Sequence, residues 1–135
     1  MSVKQLSVFA ENKNGSLYEI TDILQKNDID IRAFSVADTP GYGILRLIVS
    51  DPRSAAFALS KAGKIVNVTD VIGVEIPDSK GGLCSLLEVV SRENIGVEYL
   101  YAFVSDNIGK ACVVLRVEDN AGVEKLLSEN GFTLM

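Results

Sequence analysis

Two short stretches carry residue types able to hold a small charged molecule. Asn12-Lys13-Asn14-Gly15-Ser16-Leu17 and Asp78-Ser79-Lys80-Gly81-Gly82-Leu83 stand 66 positions apart, each between an alternating strand pattern and an amphipathic helix pattern. The amides of Gly15, Ser16 and Leu17, or of Gly81, Gly82 and Leu83, open a helix, where backbone N–H groups lack an intrahelical partner and receive anions. Glycine admits a positive φ and a close approach to the backbone. Asn12 or Asp78 supplies an acceptor for an ammonium group, Asp78 with full charge and so more strongly. Lys80 either adds a contact to a carboxylate or faces water. The same residues also serve as plain turn devices, with Ser16 or Asn14 capping the helix. On chemistry alone both readings stand.

Other chemistry finds little footing. There is no histidine, hence neither the commonest general base nor the commonest zinc ligand. Cys84 and Cys112 are too far apart in sequence for a compact metal set, and no Gly-Lys-Ser/Thr phosphate loop or dinucleotide fingerprint occurs. Gly41-Tyr42-Gly43 is too short and sits in a hairpin turn. Nothing singles out a carboxylate pair such as Asp22 with Asp28. We therefore expect no enzyme, no cofactor and no metal. The 18 acidic residues outweigh 13 basic ones, giving −5 without a basic stripe, which argues against nucleic acid as the partner. Tyr99, Tyr101 and Phe103 resemble a base-stacking strand, but no Lys/Arg cluster accompanies them, so core or interface aromatics are expected. No apolar run approaches the ~18 residues of a membrane helix, and the N-terminus lacks a signal-peptide pattern. Two thiols in apolar surroundings point to free cysteines and a cytoplasmic protein.

The elements that must position the two loops follow in order. Leu6, Val8 and Ala10 alternate with Gln5, Ser7 and Phe9 over residues 3–10, a half-buried strand. Leu17, Ile20, Ile23 and Leu24 form one helix stripe over 16–26, ended by Asn27-Asp28. A second strand spans Ile29 to Asp38, with Ile31, Ala33 and Ser35 opposite Phe34 and Val36. A turn at Thr39-Pro40-Gly41-Tyr42-Gly43 leads to the apolar third strand, Ile44 to Val49. Asp51-Pro52 opens a second helix, with Ala55, Ala56, Leu59 and Ala62 inward and Gly63 as its stop. Lys64 to Val68 is a fourth strand. The pattern then restarts: strand Val71 to Ile76, helix stripe Leu83, Leu86, Val89 and Val90, strands Ile95 to Val104 and Ala111 to Val117. A helix from Asp119-Asn120 follows, then Gly131 and a short strand at Phe132 to Met135.

Sliding the chain by 66 aligns Leu6 with Ile72, Gly15 with Gly81, Leu17 with Leu83 and Gly43 with Gly109. A two-residue insertion raises the offset to 68 and aligns Asp51 with Asp119, Leu59 with Leu127 and Gly63 with Gly131. We read an internal duplication, residues 1–68 and 69–135. The fold class is α+β: two ferredoxin-like βαββαβ modules in tandem, each an antiparallel sheet with helices on one face. Almost no linker separates them, and the run Ile65 to Ile76 also fits one bent strand.

This order, the Asn12-x-x-Gly15 and Asp78-x-x-Gly81 spacings before Leu17 and Leu83, and the passages Asn27-Asp28-Ile29-Asp30-Ile31 and Glu93-Asn94-Ile95-Gly96-Val97 resemble the ACT domain family. The resemblance covers nearly the whole chain, as two copies. It implies a non-catalytic regulatory module that binds a free amino acid as effector. The site would lie where the loop before the first helix of one module faces the early second strand of its neighbour. Carried over, the ligand positions are Asn12, Asn14, Gly15, Ser16 and Leu17 with Ile31, and Asp78, Lys80, Gly81, Gly82 and Leu83 with Val97. Gly82 beside Gly81 favours the second loop as the more open one. Family members are usually fused to the enzyme they regulate, whereas no catalytic domain is visible here. A homodimer is expected, with a regulated enzyme or other protein as further partner. The alternative is an interaction or oligomerisation module without a working ligand site.

Overall fold

A computed structural model of the chain describes residues 3–39, 41–103 and 105–135, with Asp38 and Thr39 as backbone only. Pro40 of the expected hairpin turn, Val104 at the end of an expected strand, and Met1 and Ser2 lie outside the described residues. Ten elements follow one another: β1 (Val3–Glu11), α1 (Ser16–Lys26), β2 (Ile31–Thr39), β3 (Tyr42–Val49), α2 (Pro52–Lys61), β4 (Val66–Pro77), α3 (Gly82–Arg92), β5 (Tyr99–Phe103), β6 (Lys110–Arg116) and α4 (Asn120–Glu129). Lys4–Thr69 is one compact unit, and the other is built on Asp70–Met135.

In the first unit β3 lies between β1 and β2 and pairs antiparallel with both, Leu6 opposite Leu47 and Phe34 opposite Leu47. The Phe9 N–H donates to the Ile65 carbonyl at 3.1 Å. Leu6, Val8 and Ala10 with Leu45, Leu47 and Val49 meet Ile20 and Leu24 of α1 and Ala55 and Leu59 of α2. This is the apolar face that the period-2 and period-3.6 patterns require. In the second unit β6 lies between β4 and β5, again antiparallel. Ile72, Val74 and Ile76 with Val113, Leu115 and Val117 meet Leu86, Val89 and Val90 of α3 and Val123 and Leu127 of α4. Tyr101 is buried, a core aromatic.

Local stops and starts recur in register. Asp28 (φ 58°) and Asn94 (φ 54°) take the left-handed conformation just after α1 and α3. The next amides, of Ile29 and Ile95, then close back onto the carbonyls of Leu24 and Val90 at 3.0 Å each. This pattern satisfies terminal helix carbonyls. Asp51 and Asp119 cap α2 and α4, each accepting from the amide three residues on, at 3.1 Å.

Several expectations are corrected. Of the two readings of the Ile65 to Ile76 run, two strands or one, the single strand holds, as β4. Thr69-Asp70 contains no turn-forming Gly or Pro, so the extended backbone continues. β2 begins at Ile31 and β5 at Tyr99, later than expected, because Asp28-Ile29 and Asn94-Ile95 are used to end the helices. The final strand reduces to a bridge, Val74 opposite Leu134, flanked by bonds from Glu75 N–H to Thr133 O and from Met135 N–H to Gly73 O. Gly109 corresponds to Gly41, not Gly43: both have positive φ, 81° and 86°, and Lys110 pairs with Pro77 as Tyr42 pairs with Glu11. The two-residue insertion therefore precedes Gly109. Ala62 is exposed rather than inward. Gln5, expected on a solvated face, is fully buried with its Nε2 donating to Ser7 Oγ at 3.3 Å.

The Cys112 thiol is buried on β6, 3.6 Å from the Met135 sulfur, while Cys84 on α3 is exposed; both are free. Among the described residues no helix is long and apolar enough to cross a membrane, and no group of three or more His, Cys, Asp or Glu is placed to hold a metal ion.

Candidate functional site: the loop and groove at the start of α1

Each loop delivers a glycine in the left-handed conformation to the start of its helix. Gly15 and Gly81 both have φ 89° and stand as N-cap residues with no side-chain cap bond. Neither Asn14 nor Ser16 caps α1, because the left-handed turn is made by Gly15 itself and Ser16 is already helical. A Cβ at either glycine would meet nothing within 4 Å, so conformation and not crowding requires glycine there.

Not every helix-start amide is open to a ligand. The Ser16 N–H points back to Lys13 O at 3.4 Å and the Gly82 N–H to Ser79 O at 3.0 Å. Leu17 and Leu83 keep helix-start amides that no carbonyl within the helix meets. Asn12, Asn14, Asp78 and Lys80 are exposed on their loops. Gly82 differs sharply from its counterpart Ser16. A Cβ at Gly82 would collide with the Pro77 carbonyl oxygen, so the space of its missing side chain is filled by the end of β4 and does not open the loop.

The first unit places Leu17 and Ile31 together in one apolar groove of about 330 Å³. Leu17 and Thr21 of α1 form one wall, Ile31, Phe34 and Val36 of β2 the other, and Leu45 and Leu47 of β3 the floor. Plain alternation would set Ile31 and Phe34 on opposite faces. A register shift between Ile31 and Ala33 brings them to the same side, Ile31 opposite Val49 and Phe34 opposite Leu47. Leu17, Phe34 and Val36 are exposed, at 43%, 69% and 48%. Ser16 lines a neighbouring cavity of about 290 Å³ with Phe9, Lys13, Tyr42 and Lys64. Its two lysines already pair, Lys13 with Glu11 at 3.1 Å and Lys64 with Glu19 at 2.9 Å. The Phe9 and Tyr42 rings meet in a tilted contact, 5.4 Å between centroids.

In the second unit the carried-over residues do not converge. Val97 lines a cavity of about 690 Å³ with Glu93, Asn94, Glu118 and Asp119 at the start of α4, a cavity to which Asp78, Lys80, Gly81, Gly82 and Leu83 contribute nothing. Thr21, Phe34, Val36, Leu45 and Leu47 escaped the sequence reading as site residues. Phe34 and Val36 were visible as one apolar face of a strand. Their exposure follows from β2 pairing with β3 alone among the described residues, which no local pattern reveals.

The whole architecture has known relatives. Residues 1–133 match the family model of the ACT domain pair. A crystal structure of protein BT0572 from Bacteroides thetaiotaomicron is 40% identical, covers 100% of this chain and 92% of its own, and superposes with a TM-score of 0.92. The ligand-free regulatory subunit of aspartate kinase from Thermus thermophilus is 12% identical over 95% of this chain and 92% of its own, with a TM-score of 0.68. Aspartokinase III of E. coli, solved with aspartate and ADP, is 16% identical over 96% of this chain but 32% of its own, with a TM-score of 0.58. At such identities these two kinases share the fold alone. No curated protein sequence matches the chain. The class that loop, helix and sheet define is the paired α+β module of the ACT fold. The chain belongs to the ACT domain pair family.

Proposed function

We propose that this chain senses a free amino acid and passes its loaded state to a protein partner. The carrying observation is the contiguity of the Gly15 helix start with the α1–β2 groove, since Leu17 belongs to both. Helix-start amides suit the ligand carboxylate, Asn12 and Asn14 its ammonium, and the groove its side chain. Gly15, Ser16 and Ile31 complete the first set. Asp78, Lys80, Gly81, Gly82, Leu83 and Val97 are the corresponding positions of the second repeat. A regulated enzyme is the natural partner for such a module, and the free thiols fit a reducing, cytoplasmic setting. The ligand acts as a switch only if it favours one conformation or assembly over another.

A thermal-shift screen against the twenty amino acids tests this reading. A ligand that binds only the folded chain at a hundred times its Kd adds about 2.7 kcal/mol, several degrees in Tm. A flat screen at millimolar concentrations overturns it. One observation favours a second reading, a homodimer or other protein interface: Leu17, Phe34 and Val36 are exposed beside the edge strand β2. That reading gains if the native mass is dimeric and neither mass nor Tm responds to any amino acid.

A further inference from the structure

We infer that the two repeats have divided their labour: the first alone carries the ligand, the ligand is an amino acid with an aliphatic or aromatic side chain, and Thr21 keeps its seat open. This rests on the sensing function proposed above and narrows it to one site and one ligand class.

The comparison is position by position within one chain. The 66-residue offset makes Leu87 the counterpart of Thr21 and Val97 of Ile31, and the strand registers make Leu100 that of Phe34, each opposite a buried leucine of the central strand. Ile31 and Val97 pack alike against their cores, but in the second unit Leu87 and Leu100 pack down as well. In the first unit Phe34 stands well exposed and the Thr21 side chain ends one bond short of leucine's, which leaves the groove. The loops diverge in the same direction. Ser16 borders a cavity, whereas Gly82 is pressed against the Pro77 carbonyl, which leaves no room for even a methyl group.

Side-chain class follows from the lining. Among the described residues the only polar side chain in the groove is Thr21, and its Oγ1 donates to its own helix, at Leu17 O (3.1 Å) and Tyr18 O (3.0 Å). A charged or amide side chain seated there would lose its water without gaining a partner, while an apolar one gains by burial. The volume, about 330 Å³, lies at the small end of ligand pockets, which suits one amino acid rather than a peptide.

Methyl-labelled NMR of the full chain, titrated with each of the twenty amino acids, decides the matter. The expected result is that one or more of leucine, isoleucine, valine, methionine and phenylalanine shift the methyls of Leu17, Ile31 and Val36 and leave those of Leu87, Val97 and Leu100 in place. Aspartate, glutamate, lysine and arginine shift neither set. Thr21→Leu, an exposed helix substitution that fits the fold, weakens the response roughly tenfold or more, since filling a ligand pocket costs at least what one missing methylene does. Leu87→Thr leaves it unchanged. Binding of a charged amino acid at the first groove, shifts at the second repeat, or full binding by Thr21→Leu overturns this inference and leaves the sensing function standing. Groove methyls that move on dilution of the protein and with no amino acid show a second copy in the groove and overturn it as well. Silence toward all twenty overturns the sensing function and takes the inference with it.

Discussion

Gly81 and Gly82 are neighbours with unlike reasons to be glycine. Gly81 is held at φ 89° with open space around it, so an alanine there pays only the left-handed backbone penalty, about 1–2 kcal/mol. Gly82 has ordinary φ but no room, and its alanine forces β4 and α3 apart. Denaturant melts should therefore rank Gly82→Ala as the more destabilising, with Gly15→Ala close to Gly81→Ala. An equal loss at the two positions contradicts this account. The left-handed glycines were legible, because a strand–turn–helix junction with Gly at the N-cap leaves few other conformations. The difference between Ser16 and Gly82 was not. It lies in how closely the Pro77 carbonyl approaches Gly82 across the turn, and the Gly-Gly pair reads from sequence as added openness.

Helix ends carried their signals in plain view: Asp51-Pro52, Asp119-Asn120, Gly63 and Gly131 all act where the residue types predict. Asp51 has a testable titration. Its carboxylate accepts from the Ser54 hydroxyl at 2.7 Å and the Ser54 amide at 3.1 Å, which hold its pKa below the ordinary carboxylate value. A pKa lower in the folded chain means that the cap's contribution is complete above the unfolded value and lost as pH falls through the folded one. The Tm gap between wild type and Asp51→Ala should thus be widest at neutral pH and shrink on acidification. A gap that widens in acid is incompatible with this cap. Strand ends were far less legible. β2, β4 and β5 begin where a partner strand offers hydrogen bonds, and the register shift that carries Ile31 to the Phe34 side depends on Val49 and Ile48 across the ladder.

The duplication is the feature of the whole chain that the sequence displays best, because capping residues, left-handed glycines and core leucines such as Leu59 and Leu127 recur in order and both leucines are fully buried. The insertion was misplaced by one turn. Gly41 and Gly43 are equally good matches to Gly109 until strand pairing distinguishes them. The groove is illegible in sequence for the same reason: Leu17, Thr21, Phe34 and Leu47 meet only through the sheet. The second repeat alone carries thiols, two of opposite character: Cys84 is open on α3 and Cys112 is shut beneath Met135, its pKa raised chiefly by burial. The last residues are tied to β4 by the bonds from Glu75 and Met135. Under native conditions an alkylating reagent should consume Cys84 promptly and Cys112 only as often as that tail lifts away. Prompt labelling of both would mean the terminus is not seated. The ratio of the two rates is then an internal clock: one chain supplies both the free-running reference and the gated hand, and the fraying of its C-terminus is timed without adding any label.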